Sequence, residues 1–280
     1  MKKSTSRLRN RVTIWIAILV TGATIGSNPV LAQGDPITVA TWNAYSDAIA
    51  DAAVSRPGEV ATDLLSPTGT DSRTQWQIID GIPHLLAQRI SWRAISTVKP
   101  GEPFTLLSHL FIAISGEVDK ECVALACNKL KEKALNLRMA QLLGLPPDAD
   151  NSVLSRFWVN PSDIIRPCTN VDIMNASCPQ LMANTLSNGV DWSSFLFEQG
   201  MDSWRTQRKG TPQRISCDSD YADKYKGNCF GYPWTRLGYT FDWSPKAKDD
   251  RGVTEFVVAQ GSTVYLESAG SIRSFYPYSK

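Results

Sequence analysis

The chain has two histidines among 280 residues. His84 and His109 each stand far from any second residue able to complete a metal set, so neither a zinc centre nor a histidine-driven triad finds support. His84 follows Pro83 at a hairpin and His109 lies in an apolar strand, where a hydrogen-bonded structural imidazole is the ordinary reading. No Cys-x-x-Cys pair, Gly-x-Ser-x-Gly elbow, phosphate-cradling glycine loop, dinucleotide fingerprint or His-Glu-x-x-His occurs. Those absences remove the usual signatures of nucleotide, metal and nucleophile chemistry, and no cofactor is expected. Repeats and low-complexity segments are missing too. Helices do not alternate with strands, which argues against a doubly wound parallel sheet.

What is present first is a targeting pattern. Lys2, Lys3, Arg7, Arg9 and Arg11 precede the apolar run VTIWIAILVTGATIG, and NPVLA follows with Val30 and Ala32 as small residues. This reads as a secretory signal peptide over residues 1–32, cleaved near Ala32. Thr13, Thr21, Gly22 and Thr24 interrupt a run already shorter than the roughly 20 apolar residues of a membrane span, so no stable span is expected after cleavage. With those five cations gone, 29 basic against 27 acidic residues become 24 against 27. The apparent basicity belongs to the leader, and no nucleic-acid partner is expected. Residues 33–280 suit one exported domain, with a subdivision near 147–150 as the alternative, and 42% apolar composition is enough for a core.

All six cysteines, Cys122, Cys127, Cys168, Cys178, Cys217 and Cys229, follow the leader. An even number in an oxidising compartment points to disulfides. Fifteen connectivities are possible, and the local one pairs 122 with 127, 168 with 178 and 217 with 229. Cysteines five apart lie about 140° apart around a helix, so a 122–127 bridge requires the next helix to begin after Cys127.

Residues 41–54 carry Trp42, Tyr45, Ile49 and Ala53 at helical spacing. TQWQIIDGIPHLLAQRISWRAIS predicts two strands joined at Asp80-Gly81, a dipeptide that accepts positive φ. PFTLLSHLFIAIS is expected as one strand. NKLKEKALNLRMAQLLGLPP, residues 128–147, predicts a helix stopped at Gly144 before Pro146 and Pro147. RFWV, TRLGYTFDW, TEFVVA and TVYLES follow as strands. The expected class is α+β, rich in strands, with a mostly antiparallel sheet, a few helices in the N-terminal half, and disulfide staples.

Carboxylates, arginines and aromatics remain as candidate functional groups. Alternation along 235–243 places Thr235, Leu237, Tyr239, Phe241 and Trp243 on a core face and Arg236, Gly238, Thr240 and Asp242 on the other. Arg236 and Asp242 stand about 20 Å apart along an ideal strand, so they meet one centre only if the chain bends, and Gly238 is where it can. Glu255 lies on a strand able to pair alongside. Arg166, beside Cys168, has donors for Asp163 or for loop carbonyls. The ligand-binding candidates are Trp234, Arg236, Tyr239, Asp242, Glu255, Asp163 and Arg166, with Asp242 or Glu255 as acid or base if there is chemistry.

LRMAQLLGLPP (137–147), RFWVNPSDIIRPC (156–168), GYPWTRLGYTFDW (231–243) and TEFVVAQGSTVYLES (254–268) resemble successive blocks of a family of exported bacterial proteins of unknown function. The likeness implies no fold, reaction or ligand. It does draw attention to Trp158, Pro161, Asp163, Arg166 and Cys168, and to Tyr232, Trp234, Arg236, Tyr239, Asp242, Trp243 and Glu255. Phe241 stands where a tyrosine is expected, and Ile164-Ile165 where leucine and phenylalanine are. The functional expectation is an exported envelope protein that binds a glycan or another envelope component or serves in assembly, the alternative being a carboxylate-dependent hydrolase of an envelope glycan.

Export and oxidation together predict a secreted product that starts near Gln33 and carries no free thiol. Mass spectrometry of the exported chain with thiol titration under native conditions checks this. Two or more reactive cysteines would rule out full pairing.

Overall fold

The computed structural model describes residues 39–52, 55–91, 93–148, 151–168, 170–179, 186–187, 190–191 and 232–279. Helix α1 spans Val39–Ala52, close to its expected place. Strands β1 (Trp76–Ile79) and β2 (Ile82–Ser91) form the expected hairpin, pairing Ile79 with Ile82. Asp80 and Gly81 both take positive φ, 51° and 79°, which gives the turn the twist of the strands it joins.

The segment 103–114 is two strands rather than the single one expected. β3 (Pro103–Thr105) pairs with β12 (Thr263–Ser271), while β4 (Leu110–Ile114) pairs with β11 (Phe256–Val258). Thr105 faces Thr263 and Leu110 faces Val258, one continuous antiparallel register. Between them Leu106 N–H donates to Ser262 O and Gly261 N–H to Leu106 O, so pairing persists through the break. The two chain segments form one ribbon that bends.

β5 (Val153–Val159) and β6 (Ile164–Ile165) complete an eight-stranded antiparallel sheet in the order β3-β12-β5-β2-β4-β11-β6, with β1 beside β2. The two halves of the ribbon sit towards opposite ends of this order, so its bend curls the sheet back on itself. β11 and β12 are consecutive in sequence yet do not pair. Smaller pairs are β7 (Leu186–Ser187) with β8 (Val190–Asp191), and β9 (Tyr239–Phe241) with β10 (Arg251–Thr254).

Period-two alternation gives the sheet two apolar faces. Leu85, Ala87, Ile112, Ile114, Phe157, Val159, Phe256, Val258 and Val264 fill one side. On the other, Ile90, Ala113 and Leu154 meet three helices: α2 (Ser115–Ala124) through Val118 and Cys122, α3 (Glu132–Leu142) through Leu135, Met139 and Leu142, and α4 (Ile272–Phe275) through Ile272. The helix expected over 128–147 is thus shorter. Gly144, at φ 65°, ends it, and Cys127 lies in a preceding 3-10 turn, so the helix does begin after Cys127. α2 carried no clear sequence signal. Gly116 is required there, because a Cβ would sit 2.4 Å from Arg73 O.

The Cys122–Cys127 and Cys168–Cys178 disulfides are formed. Cys217 and Cys229 lie outside the described residues.

TRLGYTFDW is not a nine-residue strand. Arg236 (φ 59°) and Gly238 (φ 81°) turn the chain, and Thr235 Oγ1 both accepts from Leu237 N–H and donates to Tyr239 O. Only Tyr239–Phe241 is extended, and the two-faced alternation gives way to burial on both sides. At Gly238 an added Cβ would come 2.8 Å from both Arg166 Cδ and Cys178 Sγ. Gly261, at φ 86°, faces open space. Gly261→Ala is therefore expected to cost only the left-handed penalty of about 1–2 kcal/mol, and Gly238→Ala about 2 kcal/mol beyond that. Urea melts of the two variants check the difference, and equal costs would contradict it.

Candidate functional site

A cavity of about 350 Å³ opens between the end of α1, the 58–61 segment and the β9–β10 pair. Tyr239 and Phe241 supply aromatic surface, while Asp51, Glu59, Asp249 and Asp250 bring four carboxylates to its lining. Tyr239 is held by its hydroxyl, which donates to Glu59 O at 2.8 Å, and burial pushes its phenol up to about 12. The Arg251 guanidinium lies 5.8 Å from the Tyr239 ring centre and pairs with Asp63 at 2.5 Å, holding the Asp63 carboxyl below its usual range. Arg56 contacts Asp51 at 2.6 Å and Glu59 at 2.7 Å. Asp250 is left with a raised affinity for its proton, from burial first and then from Asp51, Asp249, Asp242 and Glu59. A cationic or hydrogen-donating ligand would relieve that concentration of negative charge.

Most of the residues singled out from sequence serve the architecture. Asp242 forms a two-pronged pair with Arg138 of α3, at 2.9 and 2.5 Å, and accepts Ser244 N–H. A carboxylate so engaged has both oxygens committed to holding α3. Arg236 donates to Ala52 O at 2.9 Å, satisfying a carbonyl at the end of α1. Arg166 is fully buried and donates to Leu65 O at 2.9 Å and Ile173 O at 2.8 Å, not to Asp163, and its guanidinium lies 5.0 Å from the Phe256 ring centre. Burial lowers its value to about 10. Trp234 stacks on Phe111 at 5.2 Å with Tyr232 beside it at 5.4 Å. Asp163 closes a 3-10 turn whose backbone O accepts Ala259 N–H.

Glu255 is different. Its backbone N–H donates to Gly238 O, and its buried side chain has no hydrogen-bond or ion-pair partner among the described residues. Burial alone pushes its carboxyl up to about 8. Asp163, Asp242 and Glu255 are not joined to one another by any hydrogen bond or ion pair among the described residues. The cavity takes only Tyr239 from the sequence candidates.

Glu117, on α2, is a buried carboxylate that sequence reasoning missed. It accepts Thr254 N–H at 3.0 Å, Thr254 Oγ1–H at 2.9 Å and Arg73 Nη1–H at 3.2 Å. Burial still raises its proton affinity against those three donors. Its role is to tie α2, the 63–73 segment and β10 together. His84 Nδ1 lies 2.9 Å from Ile82 O, and His109 Nδ1 accepts Gln260 N–H, both structural positions.

No family model, no curated protein and no solved structure matches this chain.

Glu255 sets a pH dependence. In the folded protein it keeps its proton to about pH 8, against an ordinary value of 4.5. Between those limits the folded state holds a proton that the unfolded state releases, so stability falls as pH rises through this window. Glu255→Gln keeps the neutral shape and removes that contribution, on the order of 5 kcal/mol across the window. Glu117 and Asp250, whose proton affinities are also raised, remain in the variant and keep part of the slope. Urea melts from pH 5 to 8.5 should show a shallower decline in Glu255→Gln than in the wild type, and parallel declines would contradict the assignment.

Proposed function

We propose that the chain is an exported binding protein that accepts a small amine-bearing or hydroxyl-rich envelope ligand, such as an amino-sugar unit of a glycan, without acting on it chemically. The observation that carries this reading is the cavity beside Tyr239, where four carboxylates share a concave wall with two aromatic rings. Carboxylates accept hydrogen bonds from ammonium and hydroxyl groups, and ring faces suit the C–H faces of sugars. Arg56 and Arg251 are engaged with Asp51, Glu59 and Asp63, which leaves Asp249 and Asp250 as the carboxylates a ligand would neutralise.

The hydrolase alternative draws on Glu255, whose protonated carboxyl at neutral pH suits a general acid. A glycosidase also needs a second carboxyl about 5–10 Å away across the scissile bond. Asp242 is paired with Arg138, and Glu255 has no ion pair or hydrogen bond to a second carboxyl among the described residues, so the binding reading is preferred.

Isothermal titration with glucosamine oligosaccharides, beside their N-acetylated counterparts, tests the proposal. The amine forms are expected to bind, and Asp250→Asn to weaken them about tenfold, ~1.4 kcal/mol, with little change in melting temperature. Undiminished binding by Asp250→Asn would remove the cavity from the account. New reducing ends during incubation would replace binding with hydrolysis.

A further inference from the structure

One end of the sheet face that α2, α3 and α4 pack against carries aromatic rings. Tyr265 of β12 stands directly opposite Trp158 of β5, and Trp158 opposite Leu86 of β2, two residues along from His84. The chain neighbours Val264, Phe157, Val159 and Leu85 all turn into the inner core, so Tyr265, Trp158 and His84 turn the other way. The helices arrive two residues before Trp158, where Arg156 pairs with Asp119 of α2 and lies 5.0 Å from the Phe275 ring centre of α4. Trp158 and Tyr265 are only half-buried.

His84 is 5% exposed, and its ring stands perpendicular to that of Tyr265 with the centres 5.3 Å apart. Its Nδ1 lies 2.9 Å from Ile82 O, and because a carbonyl only accepts, Nδ1 carries the hydrogen. In the neutral ring Nε2 is then a lone-pair acceptor. It has no hydrogen-bond partner among the described residues, yet it is not sealed from solvent. The Trp158 indole N–H is in the same condition, unpartnered and accessible, and the Trp158 ring contacts no other ring among the described residues. Polar atoms of largely buried rings ordinarily find partners. Tyr265 has one: its hydroxyl donates to Asp80 Oδ2 at 3.3 Å, which ties the ring to the β1–β2 turn.

We infer that His84, Trp158 and Tyr265 form a binding site for an uncharged sugar ring. The His84 acceptor and the Trp158 donor stand on diagonal cross-strand neighbours, within reach of one ligand. Hydroxyl groups both donate and accept, so the hydroxyls of one sugar unit satisfy both atoms while Trp158 and Tyr265 meet its C–H face. An ammonium group has only donors and leaves the indole unmet. A carboxylate has only acceptors and leaves Nε2 unmet. The site uses no residue of the acid-lined cavity and goes beyond the reading proposed for it, since it requires no charge on the ligand.

Titration of the full, disulfide-intact chain with chitotriose and with maltotriose, both uncharged, tests the inference by NMR and calorimetry. In the wild type the Trp158 indole N–H resonance should move saturably with at least one of them at up to about 20 mM, the range that a millimolar constant requires. Ethylammonium chloride and sodium acetate at the same concentration should leave it in place. Trp158→Phe keeps a ring and loses the donor, and His84→Phe keeps a ring and loses the acceptor. Each should weaken binding about three- to tenfold. Asp250→Asn should leave this binding unchanged, which separates it from the cavity. The inference is overturned if neither sugar moves the wild-type resonance, if ethylammonium or acetate moves it as far, or if either phenylalanine variant binds as tightly as the wild type. Loss of binding in Asp250→Asn would place the sugar in the cavity and overturn it equally. The wild-type resonance does not depend on how the variants fold.

Discussion

The pairing of 103–114 with 256–265 in a single register is the constraint on which the rest of the molecule depends. Because the ribbon bends at 106–109 and 259–262 without losing register, its two halves reach the sheet from opposite ends. β5 and β2 fill the space between, and the inner side chains close on Phe157, Ile112 and Phe256. The same ribbon fixes where β10 departs to meet β9, and so sets Glu255 at the junction between the large sheet and the small one. A slip of one residue would exchange Phe256 and Val258 for Glu255 and Val257 on the inner face, which the buried charge forbids.

Charge inside the fold is handled in three ways. Glu117 and Asp242 are neutralised by arginines that arrive from distant segments, so each pair fastens one piece of chain to another. Arg166 is held by carbonyls and lies over an aromatic face, with Glu117 and Asp172 as its electrostatic support. Glu255 receives neither treatment. It can be neutral by keeping its proton, which couples stability to pH. Glu255 does not line the cavity beside Tyr239, whose walls carry four carboxylates.

Much of the local structure was legible in the sequence. Asp80-Gly81 announced its hairpin, Gly144 with two following prolines announced a helix end, and close cysteine spacing announced two bridges. Arg166 was read as a residue able to hold loop carbonyls, and it holds two. What failed to show depended on distance. TRLGYTFDW has the alternation of a strand, and nothing local says that Arg236 will adopt a left-handed backbone to reach the carbonyl of Ala52. SGEVDKECVA has few apolar residues at helical spacing, and Glu117 reaches Thr254 from its first turn. The acid-lined cavity joins Asp51 and Glu59 to Asp249 and Asp250, groups that look like separate solvated loops until the fold brings them together.

The ribbon also governs when this chain can become a folded protein. Its two strands stand far apart in the sequence, so the sheet has no means of closing until the second has emerged from the ribosome. Contacts of such long range are slow to form and reward the chain only after the loop between them has been closed. Until then the inner apolar side chains of β2, β4 and β5 stay exposed. A polypeptide built this way stays open until that second strand is made, and it needs protection from its neighbours for the same length of time.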